Sequence, residues 1–130
     1  MGTGTDLNAA NTIQARFHQL AAQNFRRVQR KAMGKTTAKI AKKFSIAGRV
    51  QGVGFRYFAE HWASQLGIFG YVKNLWDGSV EVYAIGDPVA LEELKRQLAE
   101  GPRSAHVTNI MESDEPVDKR YNYFVIEGGW

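Results

Sequence analysis

Between Phe44 and Ile126 the chain is cut repeatedly by residues that stop or turn a backbone: Gly52-Val53-Gly54, Gly67, Asp77-Gly78, Asp87-Pro88 and Gly101-Pro102. Each cut has its own chemistry. Asp77-Gly78 tolerates the positive φ angles of a tight hairpin turn. Asp87 suits a helix N-cap, and Pro88 suits the first helical position, where a missing N–H costs nothing. Gly67 suits the stop of a helix that precedes it. The segments between the cuts differ in period. Phe44, Ile46 and Val50 alternate as in a half-buried strand over Phe44–Val50. From about Phe55 to Leu66 a helix places Phe58, Ala59, Trp62 and Leu66 on one face. Ile68–Leu75 reads as a second strand, and Ser79–Ile85 as a third with Val80, Val82 and Ala84 on one side. The helix opened by Asp87 turns Leu91, Leu94 and Leu98 inward and ends at Gly101-Pro102. Ala105–Met111 and Tyr121–Ile126 supply two more strands, with an acidic loop between them.

The order β-α-β-β-α-β, with a short extra strand, predicts an α+β fold of the ferredoxin-like type. In such a sandwich an antiparallel sheet carries two helices on one face. No repeat at a solenoid period interrupts this reading. A chain of 130 residues has room for one core of this size and little for a second. It holds no uncharged apolar run of about 18 residues, so no transmembrane segment is expected. The absence of cysteine excludes disulfides, thiolate nucleophiles and Cys-based metal sites, and suits a cytoplasmic protein.

The net charge of +4 points naively to nucleic acid. The charge is unevenly placed, however. Residues 1–43 hold nine Lys and Arg against Asp6 alone, a balance of +8, whereas residues 44–130 hold eight against twelve acids, a balance of −4. The chain therefore divides into a basic N-terminal extension, residues 1–43, and an acidic domain, residues 44–130. In the extension a helical period from about Thr12 to Met33 gathers Ile13, Phe17, Leu20, Phe25 and Val28 on one face, with Arg16, Arg26, Arg27 and Arg30 on the other.

Candidate chemistry concentrates in two stretches. His18, His61 and His106 lack paired ligand spacing, so no metal is expected. Gly34-Lys35-Thr36 resembles the end of a phosphate-binding P-loop, but Gln29 stands where that motif needs glycine. The run Gly48-Arg49-Val50-Gln51-Gly52-Val53-Gly54-Phe55-Arg56 is a glycine-punctuated turn between a strand and a helix start. Glycines there let backbone amides converge on an anion, beside the positive end of the helix. Arg56 in the first turn adds a planar fork that matches a pair of phosphate oxygens. The second stretch, Gly70 to Gly78, places Asn74 at a strand end just ahead of the hairpin. On the residues alone Asn74 is equally a turn-forming side chain.

Together the two stretches resemble the acylphosphatase family, whose pattern is G-x-V-Q-G-V-x-F-R followed by G-x-V-x-N and a glycine turn. Gly48–Arg56 and Gly70–Gly78 match both parts, and Gly101-Pro102-Arg103-Ser104-Ala105-His106 and the aromatic last strand agree. The resemblance covers residues 42–130. It implies the ferredoxin-like βαββαβ fold and hydrolysis of a carboxyl–phosphate anhydride by water, without metal or other cofactor. By the same resemblance Val50, Gln51, Gly52 and Val53 would offer backbone amides to the phosphoryl oxygens. Arg56 would bind phosphate, and Asn74 would position the attacking water. Leu75 departs from relatives that carry a hydroxyl there. The partners implied are a small acyl phosphate and released inorganic phosphate, and the family resemblance suggests a monomer. Two other readings compete. RNA-recognition domains share the element order, but their third strand needs exposed aromatics, and Ser79–Ile85 offers only Tyr83. Larger hydrogenase-maturation proteins contain a similar domain followed by further regions. For residues 1–43 the favoured reading is a start site placed ahead of Met33-Gly34, or a tag, over a lipid-binding, partner-docking or transit segment.

Overall fold

A computed structural model of the chain describes residues 38–128. The chain divides into two units, Met1–Thr36 and Thr37–Trp130. The helix expected over Thr12–Met33 lies outside the described residues.

The described part runs β1 (Ile40–Arg49), α1 (Phe55–Gln65), β2 (Phe69–Asn74), β3 (Val80–Gly86), α2 (Pro88–Glu100), β4 (His106–Glu115) and β5 (Phe124–Glu127). The strands form one sheet in the order β4-β1-β3-β2-β5. This is the expected α+β arrangement with the extra strand present, and one correction. The sheet is mixed rather than antiparallel, because β5 pairs parallel to β2 with Gly70 opposite Phe124 and Lys73 opposite Glu127. The chain reaches that edge from β4, at the far side of the sheet, by way of residues 116–123, and this route sets the strand's direction.

Strand ends also differ from expectation where pairing overrides local pattern. β1 starts at Ile40, four residues before Phe44, because Ile40 to Lys43 pair with Gly86 to Tyr83. β1 thus takes in Ile40 to Lys43, the last residues of the basic segment. β4 continues past Met111 through the acidic Glu112–Glu115, held by pairing up to Ala41 opposite Glu115. β5 begins only at Phe124. Tyr121 instead joins Tyr71 and Tyr83 on the sheet face away from the helices, with ring centroids 5.9 and 5.8 Å away.

Both helices pack on the other face, where alternation delivers the core. Phe44, Ile46 and Val50 of the β1 segment, Val72 of β2, and Val80, Val82 and Ala84 of β3 are all buried. They meet Ala59 and Trp62 from α1, Leu66 at its C-cap, and Leu91, Leu94 and Leu98 from α2. Each large side chain contributes about 1.5–3 kcal/mol on burial. Phe55, rather than the expected Phe58, is fully enclosed in α1. Asp87 occupies the N-cap position of α2 in extended backbone, but its side chain makes no cap hydrogen bond.

The β1–β4 seam contains a bulge between Ala47 and Gly48. A Cβ on Gly48 would lie 2.1 Å from the His106 carbonyl oxygen, so only glycine permits this approach. Such a bulge bends and twists its strand, here directly before the glycine-rich turn.

Glu112 of β4 ties three elements together. It accepts from Lys42 Nζ of β1 at 2.8 Å and pairs with Lys95 Nζ of α2 at 2.7 Å. The Lys42 ammonium first, and then Lys95, holds the Glu112 carboxyl below its ordinary range. A carboxyl lowered in the folded state adds stability above its unfolded pKa and loses it as pH falls through the folded value. Glu112→Gln should therefore lower Tm by a few degrees at neutral pH. The gap from the parent protein should narrow as pH falls below the ordinary 4.5. Thermal melts at neutral pH and at about pH 3 check this; an equal gap at both would rule out the ion pairs as its source.

Candidate active site

The topology brings three strand ends to one place. β1 and β2 both run antiparallel to β3, so the pairing of each with it ends over its first residue: Ile46 and Asn74 are each opposite Val80. β5, parallel to β2, ends there too, with Glu127 beside Lys73. The turn after β1, the hairpin after β2 and the segment after β5 therefore surround the N-terminus of α1.

The turn itself is shaped by glycine. Gly52 has φ 74° and Gly54 has φ 80°, values that suit glycine, and no atom within 4 Å would meet a Cβ at either. Gly54 is the N-cap of α1, which has neither a capping side chain nor an acidic residue in its first turn. The positive end of the helix is thus left without a negative group of its own, as an anion site requires. Val50 is buried in the core, so it can serve a ligand through its backbone alone. Gln51 and Val53 are half-buried, and Gly52 is exposed.

Arg56 leaves the first turn of α1 and is held from the far end of the chain. Its Nη1 donates to the carbonyl oxygens of Glu127 at 3.2 Å and Gly128 at 2.7 Å. A guanidinium has five N–H donors in a rigid plane, so two bonds from one nitrogen fix the orientation of the whole fork. Asn74, only 5% exposed, shares the buried side of β2 with Gly70 and Val72. A Cβ built on Gly128 would sit 3.8 Å from Arg56 Nη1 and 3.9 Å from the Asn74 backbone nitrogen, which puts all three residues in one neighbourhood.

Two arrangements here have no local sequence signal. One is the carbonyl pair that holds Arg56, since any residue supplies a carbonyl. The other is the Gln51 side chain, whose Nε2 donates to Leu75 O at 2.7 Å and Ser79 O at 2.9 Å. Leu75, where a hydroxyl was the family's alternative, is engaged through its backbone: its N–H donates to Ser79 O at 2.9 Å and its carbonyl accepts from Gly78 N at 3.1 Å. Asp77 is absorbed by the turn, accepting from Ser79 Oγ at 2.6 Å and Ser79 N at 3.0 Å. The Ser79 hydroxyl first, then its amide, holds that carboxyl below its ordinary range. Among the described residues no group of three or more His, Asp or Glu side chains gathers as a metal site.

The family model described as Acylphosphatase matches residues 42–126. The chain belongs to the acylphosphatase family. It is 45% identical over 89 residues to the acylphosphatase of Koribacter versatilis, across 68% of this chain and 81% of that protein. It is 46% identical over 88 residues to the acylphosphatase of Vibrio cholerae El Tor, across 68% of this chain and 97% of that one. The crystal structure of acylphosphatase from Bacillus subtilis superimposes with a TM-score of 0.66 at 34% identity, covering 68% of this chain and 99% of the other. The acylphosphatase match thus falls on the unit that holds the glycine turn, Arg56 and Asn74, and residues 1–41 lie outside it.

Proposed function

We propose that Arg56, Asn74 and the backbone amides of Val50, Gln51, Gly52 and Val53 are the machinery with which this acylphosphatase hydrolyses the carboxyl–phosphate anhydride of a small acyl phosphate. The observation that carries the assignment is the meeting of three strand ends at the uncapped start of α1. In this reading the amides and Arg56 cradle the phosphoryl oxygens. Charge-assisted hydrogen bonds contribute on the order of 1.5–3 kcal/mol each, so a few of them make a strong clamp.

Water attacks phosphorus while the phosphorus–oxygen bond to the acyl group breaks. The carboxylate leaves with the bond's electron pair and needs no proton, and both protons of the water remain with the phosphate product. The step thus makes little demand for a general acid. Positioning and charge stabilisation supply most of the catalysis in phosphoryl transfer. Asn74, a neutral amide, orients the water and does not deprotonate it. The reaction in this reading uses no metal or other cofactor, and the chain works as a cytoplasmic monomer. Among the described residues no helix is long and apolar enough to cross a membrane.

The RNA-binding alternative needs an exposed aromatic on β3. Tyr83 is only 7% exposed, and its hydroxyl donates to Pro116 O at 2.6 Å and accepts from Asp118 N at 2.9 Å. Release of inorganic phosphate from acetyl phosphate tests the proposal directly. The expected result is turnover at the same rate with and without EDTA, and no binding of single-stranded RNA at physiological salt. A folded protein that releases no phosphate, or one that EDTA silences, would overturn it.

A further inference from the structure

The Gln51 side chain does more than fill space beside the turn. Its amide nitrogen has two hydrogens, and both are directed at one target, the neck of the β2–β3 hairpin. Leu75 O and Ser79 O are the two carbonyls that face each other across that neck, and Gln51 Nε2 lies 2.7 and 2.9 Å from them. Both carbonyls already accept within the hairpin, from Gly78 N at 3.1 Å and Leu75 N at 2.9 Å. The glutamine thus adds a second bond to each rather than rescuing a lost one. The amide's orientation follows from the chemistry, since its oxygen would repel both carbonyls.

On the loop side Gln51 is anchored between Val50, which is buried in the core, and Gly52 with its φ of 74°. On the hairpin side its targets are Leu75, next in chain to Asn74, and Ser79, next to Val80, the residue opposite Asn74. One side chain therefore spans from the phosphate-facing turn to Leu75 and Ser79, the residues one step beyond the Asn74–Val80 pair.

The geometry points to Gln51 as a positioning residue, whose side chain sets the placement of Asn74, and so of the attacking water, relative to the phosphate cradle. This rests on the site reading given above. Misplacing a reacting group by about 1 Å can cost about a hundredfold in rate. The strut holds a water-orienting group rather than the phosphate itself, so its loss should fall on kcat and spare phosphate affinity.

The test uses Gln51→Leu, which keeps the bulk without the donors, and Gln51→Glu, which keeps the shape but sets a carboxylate against two carbonyls. Each is measured for kcat with acetyl phosphate and for competitive inhibition by inorganic phosphate, alone and combined with Asn74→Ala. We expect kcat to fall about tenfold to a hundredfold in both single variants, with the phosphate inhibition constant changed less than about threefold. In the Asn74→Ala background the same Gln51 changes should have little further effect, because two residues that act through one water are not additive. Additive losses, or a single variant with unchanged kcat, would overturn the inference while leaving the site reading intact. If Asn74→Ala alone leaves kcat unchanged, the site reading itself fails, a distinct result. Circular dichroism melts accompany each variant; because Gln51→Glu is nearly isosteric, it remains informative if Gln51→Leu does not fold.

Discussion

Arg56→Ala should abolish measurable turnover and weaken inhibition by inorganic phosphate, with the protein still folded. The expected loss in kcat/KM is at least about a thousandfold, equivalent to about 4 kcal/mol of transition-state stabilisation. Arginines that stabilise a transferring phosphoryl group are worth 10³ to 10⁵ in rate, and Arg56, proposed for that role, is held in advance by Glu127 O and Gly128 O. Pre-orientation matters because the planar fork would then meet phosphoryl oxygens without first losing side-chain entropy. Arg56→Lys should not restore activity, since an ammonium has neither the plane nor the reach to satisfy carbonyls and phosphate together. The measurement is phosphate release together with a phosphate inhibition constant. Retained activity in Arg56→Ala would sink the assignment of this site.

Asn74→Ala should behave differently. It is expected to lower kcat by about two orders of magnitude, the scale on which single hydrogen-bonding groups that act in the transition state operate. Phosphate should still inhibit, because the proposed cradle is made of the turn and Arg56. Burial makes the change riskier for stability than at an exposed site, since Asn74 is 5% exposed and pairs with Val80 in the sheet. Backbone pairing survives the substitution, however, so the fold should hold. Loss of phosphate inhibition in a folded Asn74→Ala protein would show that Asn74 shapes the cradle and does not orient water.

Much of the fold was legible because its signals are local. Asp77-Gly78 makes a hairpin from the φ angles its residues tolerate, and Leu91, Leu94 and Leu98 reach the core because 3.6 residues make a helical turn. The same holds for the candidate site's chemistry: glycines at 52 and 54, a cation at 56 and an amide at 74 are each visible as residue types. The strand ends were not legible. Glu112-Ser113-Asp114-Glu115 has no apolar alternation and reads as a loop, yet it extends β4 because β1 offers an unfilled edge up to Ala41. Tyr121-Asn122-Tyr123 has strand-forming aromatics and yet precedes β5, because Tyr121 is taken by the tyrosines of the open face.

By itself, then, the sequence determined which segments are helix and strand, which sides of them are apolar, and which residue types a phosphate-binding turn would use. Periodicity, caps and turns are written within a dozen residues, so one chain read in order contains them. Only the tertiary structure decided that β5 returns parallel to β2, that Glu127 and Gly128 hold Arg56, and that Gln51 clamps the hairpin behind Asn74. These depend on backbone carbonyls, which are alike in every residue, and on partners separated by 24 to 72 positions. Such partners are selected by the strand order of the whole sheet and by no pattern along the chain.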